Sequence, residues 1–151
     1  MTDKVSPALV GKAGEMLVAA ELMRKGIEIA HPASDVGVDL LAYRLQAKQK
    51  VATKFVPVQV KTRSETGYAF LRSWFDRCPG VALVHVWHVA TVPEFYVFGC
   101  LRHVHDALGE RINTPSWIER GIWTENKASI GAVQRMKDHR DRWDRIIAQL
   151  S

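Results

Sequence analysis

The chain has 151 residues and a mass of 17.0 kDa, enough for one domain with a well-buried core. Apolar residues make up 47% and charged residues 25%, the balance of a soluble globular protein. Met1-Thr2-Asp3-Lys4 has no apolar h-region behind it, and the longest apolar run, Val81 to Val92, is short and broken by His85 and His88, so neither a signal peptide nor a membrane span is expected. A net charge of +5 and a pI near 9.4 point to an anionic partner without separating DNA from RNA or from an acidic protein.

In chain order, Ser6-Pro7 starts a helix, Ser as the cap and Pro at the first helical position. It runs to about Lys25 and stops at Gly26. Glu21 precedes Arg24 and Lys25 by three and four residues, a solvated ion-pair edge. Glu15 shares a stripe with Val18, Ala19 and Leu22, so helical geometry turns it toward protein, where a carboxylate needs a partner or a cation. Ile27 to Ala30 reads as a short strand, Ala33 to Gly37 as a polar turn, Val38 to Leu45 as a strand, and Val51 to Thr62 as its hairpin partner. Alternation turns Val56, Val58 and Val60 one way and Gln59 and Lys61 the other. Pro57 suggests an edge or a bulge.

Tyr68 to Arg77 reads as helix, Val81 to Val89 and Phe95 to Phe98 as strands, Leu101 to Leu108 as helix, and Asn113 to Trp123 as irregular with one helical turn. A last helix is expected from about Lys127 to Leu150. Its stripe is Ile130, Val133, Met136, Trp143, Ile147 and Leu150, with Asp138/Arg142 and Asp141/Arg145 as i,i+4 pairs outside. The order implies one α/β domain over 1–151, with a core of about 7–100, a central mixed sheet of four or five strands flanked by helices, and a C-terminal helical extension over about 101–151.

Three stretches carry chemistry: Gly11-Lys12-Ala13-Gly14-Glu15, Gly37-Val38-Asp39-Leu40-Leu41 and Val58-Gln59-Val60-Lys61. Cleaving a phosphodiester needs an activated water, neutralised non-bridging oxygens and help for the leaving oxygen, and a bound Mg²⁺ or Mn²⁺ serves all three. Mg²⁺ takes oxygen ligands and keeps several waters, so one or two carboxylates and a carbonyl suffice. Asp39 is the best direct ligand. Gln59 offers a neutral side-chain oxygen, the Val60 backbone carbonyl is its neighbour, and Glu15 binds through water or holds a second ion. Lys61 orients the attacking water or stabilises developing negative charge. Asp35 is a turn residue or an accessory ligand.

These runs, from about residue 10 to 63, resemble the PD-(D/E)xK nuclease superfamily. The likeness is to its small branch related to archaeal Holliday-junction resolvases and bacterial endonuclease-like domains. The resemblance implies a restriction-endonuclease-like three-layer α/β/α fold, an endonuclease that hydrolyses DNA with Mg²⁺ or Mn²⁺, and Glu15, Asp39, Gln59 and Lys61 in the four active-site positions. It also places Ser34 near the scissile region. Two departures stand out: Gln59 replaces the usual acid, and Val38 rather than Pro precedes Asp39.

From Arg44 to Arg72 there are seven basic residues against one acid, Glu65. Lys48, Lys50, Lys54, Arg63 and Arg72 are candidate phosphate contacts, and an ordinary solvated hairpin is the competing reading. The histidines do not make a zinc site by spacing, and no Cys pair completes one. Cys78 and Cys100 form no disulfide framework, which suits a reducing, cytoplasmic setting. The tryptophans are core or interface, an exposed one being able to stack on a base. Two cuts in a duplex suit a homodimer. Two other readings stay open: a catalytically weakened nucleic-acid-binding module, RNA included, and a protein-interaction subunit on the same fold.

Overall fold

The structure, a computed structural model, describes residues 4–34, 36–52 and 54–151; Asp35 lies outside them. Helix α1 (Pro7–Arg24) begins as its sequence dictates, with the Ser6 side chain accepting from the Leu9 N–H at 3.3 Å. Gly26, at φ +78, turns the chain out of it. Four strands follow: β1 (Glu28–Ala30), β2 (Leu40–Tyr43), β3 (Phe55–Thr62) and β4 (Tyr68–Leu71). Next come α2 (Arg72–Arg77), β5 (Ala82–Trp87), β6 (Glu94–Phe98) and α3 (Leu101–Leu108). The chain ends with α4 (Pro115–Arg120), β7 (Ile122–Glu125), α5 (Ile130–Met136) and α6 (Asp144–Ile147).

The central sheet has five strands in the order β1-β2-β3-β5-β6. It is mixed: β3 runs antiparallel to β2 and parallel to β5, pairing Val58 with Ala82 and Lys61 with His85. Each face has its own core. Val56, Val58 and Val60 of β3 pack with Val18 and Leu22 of α1 and with Trp143, Ile146 and Leu150 from the C-terminus. On the other face Leu83 and Trp87 of β5 meet Tyr68, Phe70, Phe75, Val104, Trp117 and Met136. A sheet covered on both sides is the three-layer α/β/α arrangement expected from the sequence. No helix among the described residues is long and apolar enough to cross a membrane.

Pro57 is compatible with the central strand because the β5 pairing begins one residue later, at Val58; the expected edge is local. Three expectations are corrected. Tyr68 to Leu71 is a strand, not the start of a helix, because Tyr68 and Phe70 alternate into the second core while Ala69 and Leu71 do not. Its partner is β7, which pairs Leu71 with Ile122 in a segment expected to be irregular. The last helix is broken in two: Asp141 takes φ +53, and Arg140 bridges to Tyr96 on β6. The expected Asp138/Arg142 and Asp141/Arg145 pairs are therefore replaced by Arg142–Asp144 at 2.9 Å and Arg140–Glu94 at 3.7 Å. Ile130, placed on the apolar stripe, is 92% exposed.

Candidate active site

The strands β2 and β3 part company at Asp39. The expected strand over Val38 to Leu45 is shorter, and Asp39 stands just before its first residue, Leu40. Gly37, at φ +80, turns the chain there, a conformation that favours glycine. The Asp39 backbone still donates to Val58 O at 2.9 Å. Its side chain takes over from the ladder: Oδ2 accepts from the Val60 N–H at 2.6 Å and from Gln59 Nε2 at 3.0 Å. A carboxylate that receives two N–H groups is held in one orientation.

Gln59 is 4% exposed. Its amide nitrogen is committed to Asp39, and its Oε1 is buried with no hydrogen-bond partner among the described residues. A buried amide oxygen left unbonded costs free energy in water's absence and is the kind of hard neutral donor that Mg²⁺ or Mn²⁺ accepts. A Cβ on Gly37 would lie 3.5 Å from that oxygen, in ordinary contact, so Gly37 borders it.

Glu15 arrives from α1. The helix lies unusually close to β3 at this point: a Cβ on Gly14 would lie 1.8 Å from Thr62 Oγ1. That approach brings the next residue, Glu15, to an open depression of about 190 Å³ lined by Lys12, Glu15, Pro32, Ala33, Ser34, Val38 and Asp39. Lys12, which sequence reasoning passed over, pairs with Glu15 Oε2 at 2.9 Å. Its pKa is raised, first by that hydrogen bond and by the Glu15 charge, with Asp39 adding to the effect. The signal for it was local: Lys12 stands three residues before Glu15, on the same helix face.

The structure thus joins Asp39 to Gln59 and puts Glu15 and Ser34 in one depression with Asp39. Lys61 does not line that depression. It lies two residues beyond Gln59 on the same face of β3, with its ammonium 5.0 Å from the centre of the Trp74 ring. The Val60 backbone is at the site through its N–H.

The candidate phosphate contacts are dispersed. Lys48 and Lys50 are exposed in the turn between β2 and β3, at the end of β3 away from Gln59. Lys54 is exposed and donates to the Ser151 carbonyl. Arg63 lines a second depression of about 240 Å³ with Lys4, Val10 and Thr62. Arg72 is occupied by the fold: it donates to Trp117 O at 3.2 Å and its guanidinium lies 5.8 Å from the Trp117 ring centre.

No protein-family model matches the sequence, and no curated protein matches it. Among solved structures the chain is similar to a bacterial homing endonuclease, I-Ssp6803I, at 18% identity, over 97% of this chain and 95% of that one, with a TM-score of 0.55. The likeness is in the mixed α/β fold, a five-stranded mixed sheet flanked by helices. A Holliday junction resolvase from Archaeoglobus fulgidus, Hjc, is similar at 16% identity over 62% of this chain and 74% of that one, with a TM-score of 0.41, a likeness too loose to argue from.

Within this fold, the residues at the β2–β3 divergence suit a divalent cation. Asp39, Gln59 and Glu15 supply only oxygen donors, two of them charged, and the Gln59 oxygen has no other partner among the described residues. Among the described residues no group of three His, Cys, Asp or Glu side chains is placed to hold a metal. A site here would therefore depend on the Gln59 amide and on water to complete its shell.

Proposed function

We propose that the protein is a divalent-metal-dependent endonuclease that hydrolyses DNA phosphodiester bonds, with duplex or branched DNA as its substrate and a homodimer as its working form. The observation that carries this reading is the pairing of Asp39 with Gln59, whose buried oxygen has no partner among the described residues, at the edge of a depression that also holds Glu15. Asp39, Gln59 and Glu15 would hold Mg²⁺ or Mn²⁺, with the Val60 carbonyl as a further donor. When bound, the cation supplies Lewis acidity and an activated water.

The chain's own groups account for the rest. The Val60 N–H and the Gln59 amide keep the Asp39 carboxylate from rotating. Lys61 brings a positive charge to the strand that carries Gln59, where it offsets negative charge building on the phosphate oxygens. Lys48 and Lys50 precede β3, so a duplex lying along that strand would meet them roughly 15–20 Å from the cut, about five phosphates away along one strand. Their part is attraction and register rather than chemistry.

The test is cleavage of supercoiled, linear, single-stranded and four-way-junction DNA, and of RNA, with Mg²⁺ or Mn²⁺. Wild-type protein is expected to cut at least one DNA substrate, and Asp39→Asn and Lys61→Ala to lose at least about 100-fold in rate, the scale of removing one charge-stabilising group. Equal activity in the variants would place the chemistry elsewhere. Salt-dependent DNA binding with no cleavage and no Mn²⁺ uptake would instead mark a binding module.

A further inference from the structure

Lys61 lies outside the depression, and its surroundings are unlike those of Lys12. Among the described residues it has no salt bridge; its ammonium lies 5.0 Å from the centre of the Trp74 ring. The ring is held firmly. Trp74 stands on α2, between Arg72 and Phe75. Phe75 is buried, Arg72 donates to the Trp117 carbonyl, and the Arg72 N–H bonds Gly121 O at 2.8 Å. The indole itself packs against the second core. On the other side, the Lys61 backbone is fixed by its pairing with His85 of β5. What would otherwise be loose is the four-carbon stem of the lysine.

We propose that Trp74 is a positioning residue for Lys61: its indole face keeps the ammonium beside the stretch of β3 that carries Gln59, oriented before a phosphodiester arrives. The assignment rests on the nuclease reading, which gives Lys61 its role. An aromatic face suits the task because it attracts a cation without being an anion. A lysine drawn onto Asp39 or Glu15 would neutralise the carboxylates a divalent ion needs, and would itself be masked. Held on a π face, Lys61 keeps its full charge, and a phosphate oxygen, which forms a stronger charge-assisted hydrogen bond, displaces the ring. The two lysines are thereby held differently: Lys12 is paired to a carboxylate, and Lys61 rests on a neutral ring.

The test uses the full chain with labelled lysine and three variants, Lys61→Arg, Trp74→Phe and Trp74→Leu; leucine retains apolar packing without a π face. In metal-free protein the Lys61 ε-methylene protons, assigned by their loss in Lys61→Arg, are expected upfield of the other lysines. The shift should persist in part in Trp74→Phe and vanish in Trp74→Leu. In single-turnover cleavage with Mn²⁺, Trp74→Leu should be slower by about 5- to 30-fold, with DNA affinity in Ca²⁺ unchanged, and Trp74→Phe should recover most of the loss. An ordinary Lys61 shift in the wild type, or equal rates in the two Trp74 variants, overturns the assignment and leaves the nuclease reading standing. Failure of the wild type to cut any substrate, with the upfield shift present, overturns the nuclease reading and the assignment with it.

Discussion

Thr62 Oγ1 fills the space in which a side chain on residue 14 would begin, 1.8 Å from where a Cβ on Gly14 would be. The contact is helix against central strand, so neither partner can yield without moving α1 off β3. Gly14→Ala is expected to destabilise the protein by about 1–3 kcal/mol, the scale of overpacking in a core, measured by urea unfolding. Because Glu15 and Lys12 ride on the same helix, the variant should also weaken Mn²⁺ binding. Pairing it with Thr62→Ala, which removes the nearest atom, should recover part of both.

Removing the Asp39 side chain and removing only its charge should differ. Asp39→Ala strips the acceptor from the Val60 N–H and from Gln59 Nε2, leaving two donors without a partner in a partly buried place, a loss of about 1–3 kcal/mol of stability. Asp39→Asn keeps an oxygen that the Val60 N–H can use. Both are expected to lose Mn²⁺ binding by calorimetry, while only the alanine variant shows a clearly lower denaturation midpoint.

Lys12 competes with any cation for Glu15. Its side chain is 60% exposed, so the competition is screened and weak. Lys12→Gln is expected to tighten Mn²⁺ binding by about two- to fivefold at low salt, an exposed pair being worth no more, and the gain should shrink as salt rises. Weaker Mn²⁺ binding in that variant would show instead that Lys12 holds Glu15 in place.

His85 is fully buried among Tyr68, Phe70 and Phe98, and among the described residues neither ring nitrogen has a hydrogen-bond partner of good geometry. Burial first, then the Arg63 charge, brings its pKa down from 6.5 to about 3; the Ala69 backbone pulls the other way, too weakly to offset them. His139, bonded through Nδ1 to Arg145 at 2.7 Å, is lowered to about 4, again mainly by burial. Both are neutral in the folded chain and take protons more readily when unfolded. Stability is therefore full above about pH 6.5 and falls as pH drops from there toward 3. His85→Phe should flatten that decline and leave stability at pH 7 unchanged or higher by about 1 kcal/mol, since it removes two unbonded polar atoms. Urea melts at pH 7, 5.5 and 4.5 would show it.

What could be read from the sequence was what local chemistry decides. Ser6-Pro7 and Gly26 bound α1, the alternation of Val56, Val58 and Val60 sets the faces of β3, and Leu101–Leu108 carries its own apolar stripe. Asp39 and Gln59 stood out because a carboxylate beside an apolar strand and an amide two residues before a lysine are informative as a pair. The misreadings have distant causes. β7 alternates exposed and half-buried residues and becomes a strand only because β4 lies alongside. The last helix breaks at Asp141 because Arg140 is drawn to Tyr96. Trp74 gave no local hint of Lys61, since the two meet only after α2 has folded back over β3.

The pairing of Leu71 with Ile122 also has a bearing on the order in which the molecule is assembled. The hydrogen bonds around Asp39 join neighbours in the β2–β3 hairpin and can form while the chain is still emerging from the ribosome. The platform under Trp74 cannot, because Arg72 finds its carbonyls on α4 and β4 finds its edge partner only once β7 has been made. A product truncated before Ile122 would keep the acidic half of the site and leave its lysine unseated, which ties any cutting activity to completed synthesis.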